Sequence, residues 1–160
     1  AHTAAVLGAL QEIYDFVVVD GPYRLDPCGR PVFDLADINY LVIQLSVLSI
    51  RSTQRMLDAM RSGGLNINRV SLVCNRYSKA NCQLTVEHAE STLGRDVAMV
   101  VPDDFKTCCT ALDLGEPLCI NNPKKPVRLA IRELAERTRE PERLAAQHKE
   151  ATRRPAFWAR

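Results

Sequence analysis

Three short apolar runs in this sequence each lead directly into residues that could take part in chemistry. The residues that follow the runs are Asp20, Asn75, Arg76, Pro102 and Asp103. Ligands of open α/β sheets bind beyond the carboxyl ends of the strands, so these positions form the candidate site. A carboxylate such as Asp20 can hold Mg²⁺, or a water molecule bound to it, when a strand fixes its position. Many strands also end in an aspartate without such a role, and that structural alternative stays open.

Four continuous apolar segments are the predicted strands that position these residues. They cover residues 13–20, 39–46, 69–75 and 97–101. Strands that are apolar throughout are typical of a parallel sheet buried on both faces. Residues 21–37, between the first two strands, are rich in proline and glycine and are predicted to form a loop. That loop is long for a connection without structure of its own.

Stripes of mostly apolar residues at helical spacing separate the predicted strands. They are Val6, Leu7, Leu10 and Tyr14; Ile50, Thr53, Met56, Leu57 and Met60; Val86, Ala89 and Leu93; Phe105, Cys108, Cys109 and Leu112; and Val127, Ala130, Ile131, Leu134 and Ala135. Gly63 and Gly64 are expected to end the second helix, and Asp103 or Asp104 to cap the fourth. The alternation of strands and helices predicts an α/β fold with a doubly wound, mostly parallel sheet.

Length and composition suit a single cytoplasmic domain. The chain has 160 residues, of which 46% are apolar, enough for a sizeable core. No apolar run approaches the length of a membrane span, and residues 1–10 lack the pattern of a signal peptide. The protein is therefore predicted to be cytoplasmic, with peripheral attachment to the inner membrane as the alternative.

Six cysteines occur without the spacing of a metal site. We expect them to be reduced and buried, because a free cysteine often packs as a small apolar side chain. Cys74 falls within a predicted strand. Cys108 and Cys109 fall on the predicted buried side of a helix.

The charge is concentrated in the last part of the chain. The net charge is +2, but residues 137–160 hold seven Lys and Arg against three Glu. We therefore divide the chain into a domain at residues 1–136 and a basic tail at residues 137–160, which is predicted to be partly helical and then solvated and mobile. Binding of DNA or another anionic partner, and membrane docking through the weakly amphipathic residues 136–147, are the alternatives.

The motifs taken together resemble the MinD/ParA superfamily of P-loop ATPases. The matching pieces are D-F-V-V-V-D, L-V-I-Q-L-S, V-S-L-V-C-N-R-Y, V-A-M-V-V-P-D-D-F and A-L-D-L-G-E-P-L, in family order from about Leu7 to Leu134. The N-R-Y, P-D-D-F and L-G-E-P-L pieces are similar to the CpaE branch, which serves assembly of the tight-adherence (Tad) pilus. The resemblance implies the three-layered SIMIBI-type fold of these NTPases.

The resemblance also implies roles for individual residues. Asp20 matches the Walker B aspartate, an indirect Mg²⁺ ligand, and Gly21 and Pro22 match the start of the second switch loop. Asn75 matches the residue that recognises adenine, flanked by Arg76. Pro102 and Asp103 match the turn on the other side of the base. C-N-R-Y lacks the N-K-x-D pattern of the related GTPases, so adenine is expected in preference to guanine.

The chain departs from the family at its start. No Gly-rich loop precedes a Lys-Ser or Lys-Thr in these residues, so the Walker A segment and the strand that carries it are missing. Without backbone N–H groups around a triphosphate, little would stabilise the transferring phosphoryl group. No catalytic set is complete, and these residues alone are predicted not to hydrolyse ATP.

Several functions remain open at this stage. The resemblance implies an ATP- and Mg²⁺-dependent homodimer switch that recruits proteins of the pilus and secretion machinery once the protein is complete. A nucleotide-free scaffold with a degenerate ATPase fold and a ParA-like protein that positions DNA or other cargo are the alternatives. A metal-cluster protein that uses Cys28 is a weaker one, because D-P-C-G-R does not open an apolar helix.

Overall fold

A computed structural model describes residues 2–21, 24–80 and 84–139 of the chain. Its three strands are β1 (Asn39–Ile43), β2 (Val70–Tyr77) and β3 (Val97–Pro102). Its α-helices are α1 (His2–Ile13), α2 (Arg30–Leu35), α3 (Val47–Ser62), α4 (Val86–Leu93), α5 (Phe105–Leu114), α6 (Leu118–Asn121) and α7 (Pro126–Arg139), and a short 3-10 helix covers Ile67–Arg69.

The strands form one parallel sheet in the order β1-β2-β3. β2 and β3 pair with Leu72 opposite Val97, Cys74 opposite Val100 and Tyr77 opposite Pro102. The first five residues of β2 are all buried, as a central strand of a covered sheet requires. The predicted α/β fold with a parallel sheet is therefore confirmed.

The first predicted strand is wrong within the described residues. Residues 14–20 form neither helix nor strand, and α1 continues as far as Ile13. The side chain of Val18 is 95% exposed and that of Phe16 is 60% exposed. An apolar run becomes a buried strand only if neighbouring strands pair with it and cover it, and the described sheet supplies none at this place.

The other strands and connections differ from the prediction in extent. β1 ends at Ile43, earlier than the predicted residue 46, and β2 continues to Tyr77. The predicted loop at residues 21–37 contains the short helix α2, which has Pro31 in its first turn, where proline is tolerated. Helix α6 was not predicted, because four residues are too short for a periodic signal.

The described residues fall into two compact units. The described residues of the first lie within Ala1–Leu41 and Arg51–Ser71, and those of the second within Val42–Ile50 and Leu72–Arg160. In the first unit, α1 packs against α2. Arg30 donates a hydrogen bond to the C=O of Gly63 at 2.6 Å, so it satisfies a carbonyl just beyond the end of α3. The buried Asn39 side chain donates to the C=O of Phe33 at 3.0 Å.

In the second unit, α7 packs against β3. The Arg137 guanidinium donates to the C=O of Ala98 at 2.8 Å and fastens the end of the helix to the start of the strand. Thr85 caps α4 through its side-chain oxygen, and Gly94 ends that helix with φ 63°. A left-handed φ is strained for residues with a Cβ, which explains the glycine.

Helix α5 faces opposite to the prediction. Its buried residues are Thr107 and Ala111, whereas Phe105 is 63% exposed, Leu112 is 79% exposed and Cys108 and Cys109 are half-buried. Periodicity identified the apolar stripe correctly, but it carries no information about which side meets the sheet. In α7, likewise, Val127 is buried while Ile131 is 46% exposed.

The prediction of buried thiols holds for Cys74 and is wrong for Cys28 and Cys119, which are exposed. None of these three described cysteines is in a disulfide. Cys82 lies outside the described residues. None of the described helices is both long and apolar enough to cross a membrane. Helix α7 runs through the predicted boundary between residues 136 and 137, and residues 140–160 of the predicted tail lie outside the described residues.

Candidate functional site

Four of the predicted site residues lie together at the carboxyl ends of β2 and β3. Parallel pairing places Tyr77 beside Pro102, and the backbone N–H of Asp103 donates to the C=O of Tyr77 at 2.9 Å. Asn75 and Arg76 are therefore held next to the turn that follows β3. This is the edge of a parallel sheet at which ligands bind.

Asn75 sits where β2 passes from buried to exposed, and its side chain is half-buried. Its Oδ1 accepts a hydrogen bond from the backbone N–H of Arg76 at 2.9 Å. A backbone N–H can only donate, so this contact identifies the oxygen and leaves Nδ2 as a donor. No described residue accepts a hydrogen bond from Nδ2. Asn75 can therefore offer an N–H donor to a ligand acceptor.

Arg76 has a strained backbone. Its φ of 53° is the one positive φ among the described non-glycine residues. The left-handed conformation costs about 1–2 kcal/mol for a residue with a Cβ, and such outliers cluster at ligand sites. The guanidinium group is exposed at the rim of the site, where it can stack on a flat ring or attract an anion.

Asp104, and not Asp103, caps helix α5. Its carboxylate accepts from the backbone N–H of Thr107 at 3.1 Å and lies 3.8 Å from the Lys125 ammonium group. Hydrogen bonds from Thr107, followed by the charge of Lys125, hold the pKa of Asp104 below its ordinary value. The carboxylate of Asp103 accepts no hydrogen bond from a described residue, so it remains available at the exposed turn.

Cys108 lies one turn into α5, next to this acidic turn. Burial, followed by the negative charge of Asp104, raises the pKa of the Cys108 thiol, and the charge of Arg76 opposes the shift. The thiol is therefore neutral at physiological pH, which disfavours nucleophilic chemistry because the thiolate is the reactive form.

Asp20 and Gly21 belong to the first unit, and the four residues at the ends of β2 and β3 belong to the second. Both are exposed and follow residues that form no strand. Pro22 lies outside the described residues. The switch-loop and Walker B roles of these three residues remain predictions.

Among the described residues, no group of three or more His, Cys, Asp or Glu could hold a metal ion.

Sequence reasoning missed two contributors to the site. Lys125 contributes an ion pair with Asp104, and Tyr77 contributes the backbone carbonyl that accepts from the N–H of Asp103. The K-K-P run that opens α7 was a visible signal for Lys125, because it places cations beside a helix start. No signal could have indicated Tyr77, because every residue has a carbonyl.

Comparison with known proteins agrees with this architecture. No protein-family model matches the chain. A MinD-type septum site-determining protein of Emiliania huxleyi is 29% identical over 117 residues, which cover 71% of this chain and 42% of the relative. A ParA family ATPase from Chlorobium tepidum has a TM-score of 0.74 at 22% identity, over 80% of this chain and 52% of that one. MinD of Pyrococcus horikoshii, solved with Mg-ADP, has a TM-score of 0.70 at 20% identity, over 85% and 55%.

The matches extend across most of this chain but across only about half of each matched protein. At identities near 20%, agreement of the coordinates establishes the fold and leaves the chemistry to be argued from the site. By its parallel sheet, its helices and these structural matches, the chain has the fold of the MinD/ParA-type P-loop ATPases.

Proposed function

We propose that the chain is the base-recognising part of a MinD/ParA-type ATPase and that the carboxyl ends of β2 and β3 hold an adenine base. The observation that carries the proposal is the grouping of Asn75, Arg76, Pro102 and Asp103 at one edge of two paired parallel strands. Three of these residues also offer chemical groups that suit an adenine base. Asn75 offers an N–H donor, Arg76 a flat cation and Pro102 an apolar surface.

The phosphate end of such a nucleotide would need residues outside this chain. No Gly-rich loop within the 160 residues could cradle a triphosphate. Asp20 would hold Mg²⁺ indirectly, and Gly21 and Pro22 would begin a loop that responds to the terminal phosphate. Mg²⁺ bound with ATP would neutralise charge on the phosphates. The chain alone is therefore expected to bind nucleotide weakly and to hydrolyse none.

At the level of the cell, we propose a protein of CpaE type that acts in Tad pilus assembly or localisation. The support for this is the resemblance of N-R-Y, P-D-D-F and L-G-E-P-L to that branch. In the complete protein, ATP would promote a homodimer that recruits pilus or secretion proteins in the cytoplasm or at the inner membrane. A ParA-like role with DNA or cargo would need the basic residues 137–160.

The decisive experiment is nucleotide binding by a fusion protein. The part of the Pyrococcus horikoshii MinD that precedes its matched region would be joined to residue 1, and Mg-ATP binding measured by calorimetry. Asn75→Ala should weaken binding about tenfold, the value of roughly one lost hydrogen bond to the base. Asp20→Ala should weaken binding in the presence of Mg²⁺ more than in its absence.

Asn68→Ala is the control for an asparagine outside the site, because Asn68 is exposed and its side chain takes part in no described hydrogen bond. Binding by this variant should equal that of the parent fusion. If a folded fusion protein binds no nucleotide, or if the Asn75 and Asn68 variants behave alike, the proposal is wrong. The alternative of a nucleotide-free scaffold would then gain support, since it requires partner binding that is independent of ATP.

A further inference from the structure

One side of helix α5 is apolar and lies open to solvent. Phe105 is 63% exposed, and Leu112, two helical turns later, is 79% exposed. Cys109 lies between them on the same side and is half-buried. The buried residues of the helix, Thr107 and Ala111, lie on the opposite side. The side that holds Phe105, Cys109 and Leu112, called here the α5 stripe, therefore faces away from the packed side of the helix.

Two opposite charges lie along one flank of the α5 stripe. Lys106 stands at the start of the helix and Asp113 two turns later, so both are on the same flank. Both are exposed, and neither forms an ion pair with another described residue. Glu116, just beyond the end of the helix, adds a second negative charge at the end that holds Asp113. The flank is therefore positive at one end and negative at the other.

A second copy of α5, turned antiparallel, matches this distribution of charge. When a two-fold axis relates two antiparallel helices, the same flank of each helix adjoins that of the other. Lys106 of each copy then lies near Asp113 of the other, and Phe105 of each lies near Leu112 of the other. The apolar side chains are covered and both charges gain a partner. An interface of this kind is self-complementary.

We propose that the α5 stripe is a weak self-association surface, at which two copies of this chain pair through antiparallel α5 helices. One helix face covers less than the roughly 800 Å² per partner of a stable complex, so we expect a dissociation constant in the micromolar-to-millimolar range. The pairing goes beyond the proposed function, because it requires neither nucleotide nor polypeptide outside these residues.

Sedimentation equilibrium of the chain measures this pairing. The chain should dimerise without nucleotide as its concentration rises toward about 1 mM, and Mg-ATP should leave the dissociation constant unchanged. Leu112→Asp should weaken dimerisation about tenfold or more, because it places a charge in the apolar contact. Leu48→Asp is the matched control, since Leu48 is 73% exposed but lies on α3, and it should leave dimerisation unchanged. Circular dichroism should show the parent's fold in both variants.

Charge reversal tests the antiparallel orientation. Lys106→Glu and Asp113→Lys should each weaken dimerisation about tenfold, because both flanking contacts become repulsive. Neither change should unfold α5, since an acidic residue near the start of a helix and a basic residue near its end are favoured by the helix dipole. An equal mixture of the two variants should form heterodimers with about the affinity of the parent, because both contacts then join opposite charges again.

A chain that stays monomeric up to about 1 mM would overturn the proposal. So would a dimer that forms only with Mg-ATP, or a mixture of the two charge-reversal variants that associates no better than each variant alone. Asn75→Ala should leave the pairing intact even where it abolishes nucleotide binding. The self-association surface and the proposed base site can therefore fail separately.

Discussion

The side-chain oxygen of Asn75 accepts a hydrogen bond from the backbone N–H of Arg76, the residue directly after it, at 2.9 Å. That contact turns the carboxamide so that its N–H₂ group is the part left for a ligand. It also fastens Arg76 in a backbone conformation with φ of 53°. The donor proposed to contact the base and the strained residue are therefore neighbours that one hydrogen bond joins.

Replacing Arg76 by glycine should have opposite effects on the stability of the fold and on nucleotide binding. Glycine adopts positive φ without steric cost, so Arg76→Gly should raise the free energy of unfolding by up to about 1 kcal/mol, measured by urea denaturation. The same change should weaken nucleotide binding by the fusion protein. Arg76→Lys keeps both the Cβ and the charge, so its stability should match the parent. A glycine variant less stable than the lysine variant would show that φ at this position carries no strain.

The cap of α5 should make stability depend on pH. The pKa of Asp104 in the folded protein lies below its ordinary value of 3.8, because Thr107 and then Lys125 favour the carboxylate. The stabilisation is therefore complete above pH 3.8 and is lost as the pH falls through the folded-state pKa. At pH 7, Asp104→Ala should lower the melting temperature by a few degrees.

Asp104→Asn is the control for this titration, because asparagine also caps helices but carries no charge. The parent should melt above the asparagine variant at pH 7, and the difference should vanish in strongly acidic solution. A difference in melting temperature that stays constant from pH 7 to pH 2 would contradict the assignment.

Replacing either of two glycines by alanine should change the free energy of unfolding, but in opposite directions. Neither Gly8 nor Gly115 would bring an added Cβ within 4 Å of another atom, but Gly115 has φ 64° and ends α5 whereas Gly8 lies inside α1. Gly115→Ala should lower the free energy of unfolding by about 1 kcal/mol. Gly8→Ala should raise it by about 0.5–1 kcal/mol, because alanine favours helix. Equal effects in thermal denaturation would contradict this reading of the α5 end.

The cysteines should react with iodoacetamide in a set order, which peptide mapping by mass spectrometry can follow. Cys28 and Cys119 are exposed and should be labelled first. Cys108 should be labelled more slowly than these two at pH 8, because burial raises the pKa of its thiol and lowers the thiolate fraction. Cys74 is buried and should react only after unfolding in urea. Labelling of Cys108 before Cys119 in the folded chain would contradict the assigned burial.

The local sequence pattern was sufficient to predict a helix or strand whose own residues mark its extent. The end of α3 followed from Gly63 and Gly64, because Gly64 adopts the left-handed conformation that glycine reaches without strain. The strands β2 and β3 followed from apolar runs that the sheet does bury. The grouping of Asn75 with Pro102 followed because the carboxyl ends of neighbouring parallel strands meet at one edge.

Only the tertiary structure decided which segments pair as strands and which side of a helix packs against the sheet. Residues 16–19 have the composition of a buried strand, yet a strand exists only where another one hydrogen-bonds to it, and no single segment encodes that partner. The stripe of Phe105 and Leu112 has a helical period, but the side of α5 that packs is set by how the helix leaves β3 and its Asp104 cap. The sequence by itself determined β1, β2 and β3, the longer helices, their order and the residues at the ends of β2 and β3. The fold decided which apolar surfaces are covered and which stay exposed, because burial depends on neighbours distant in the chain.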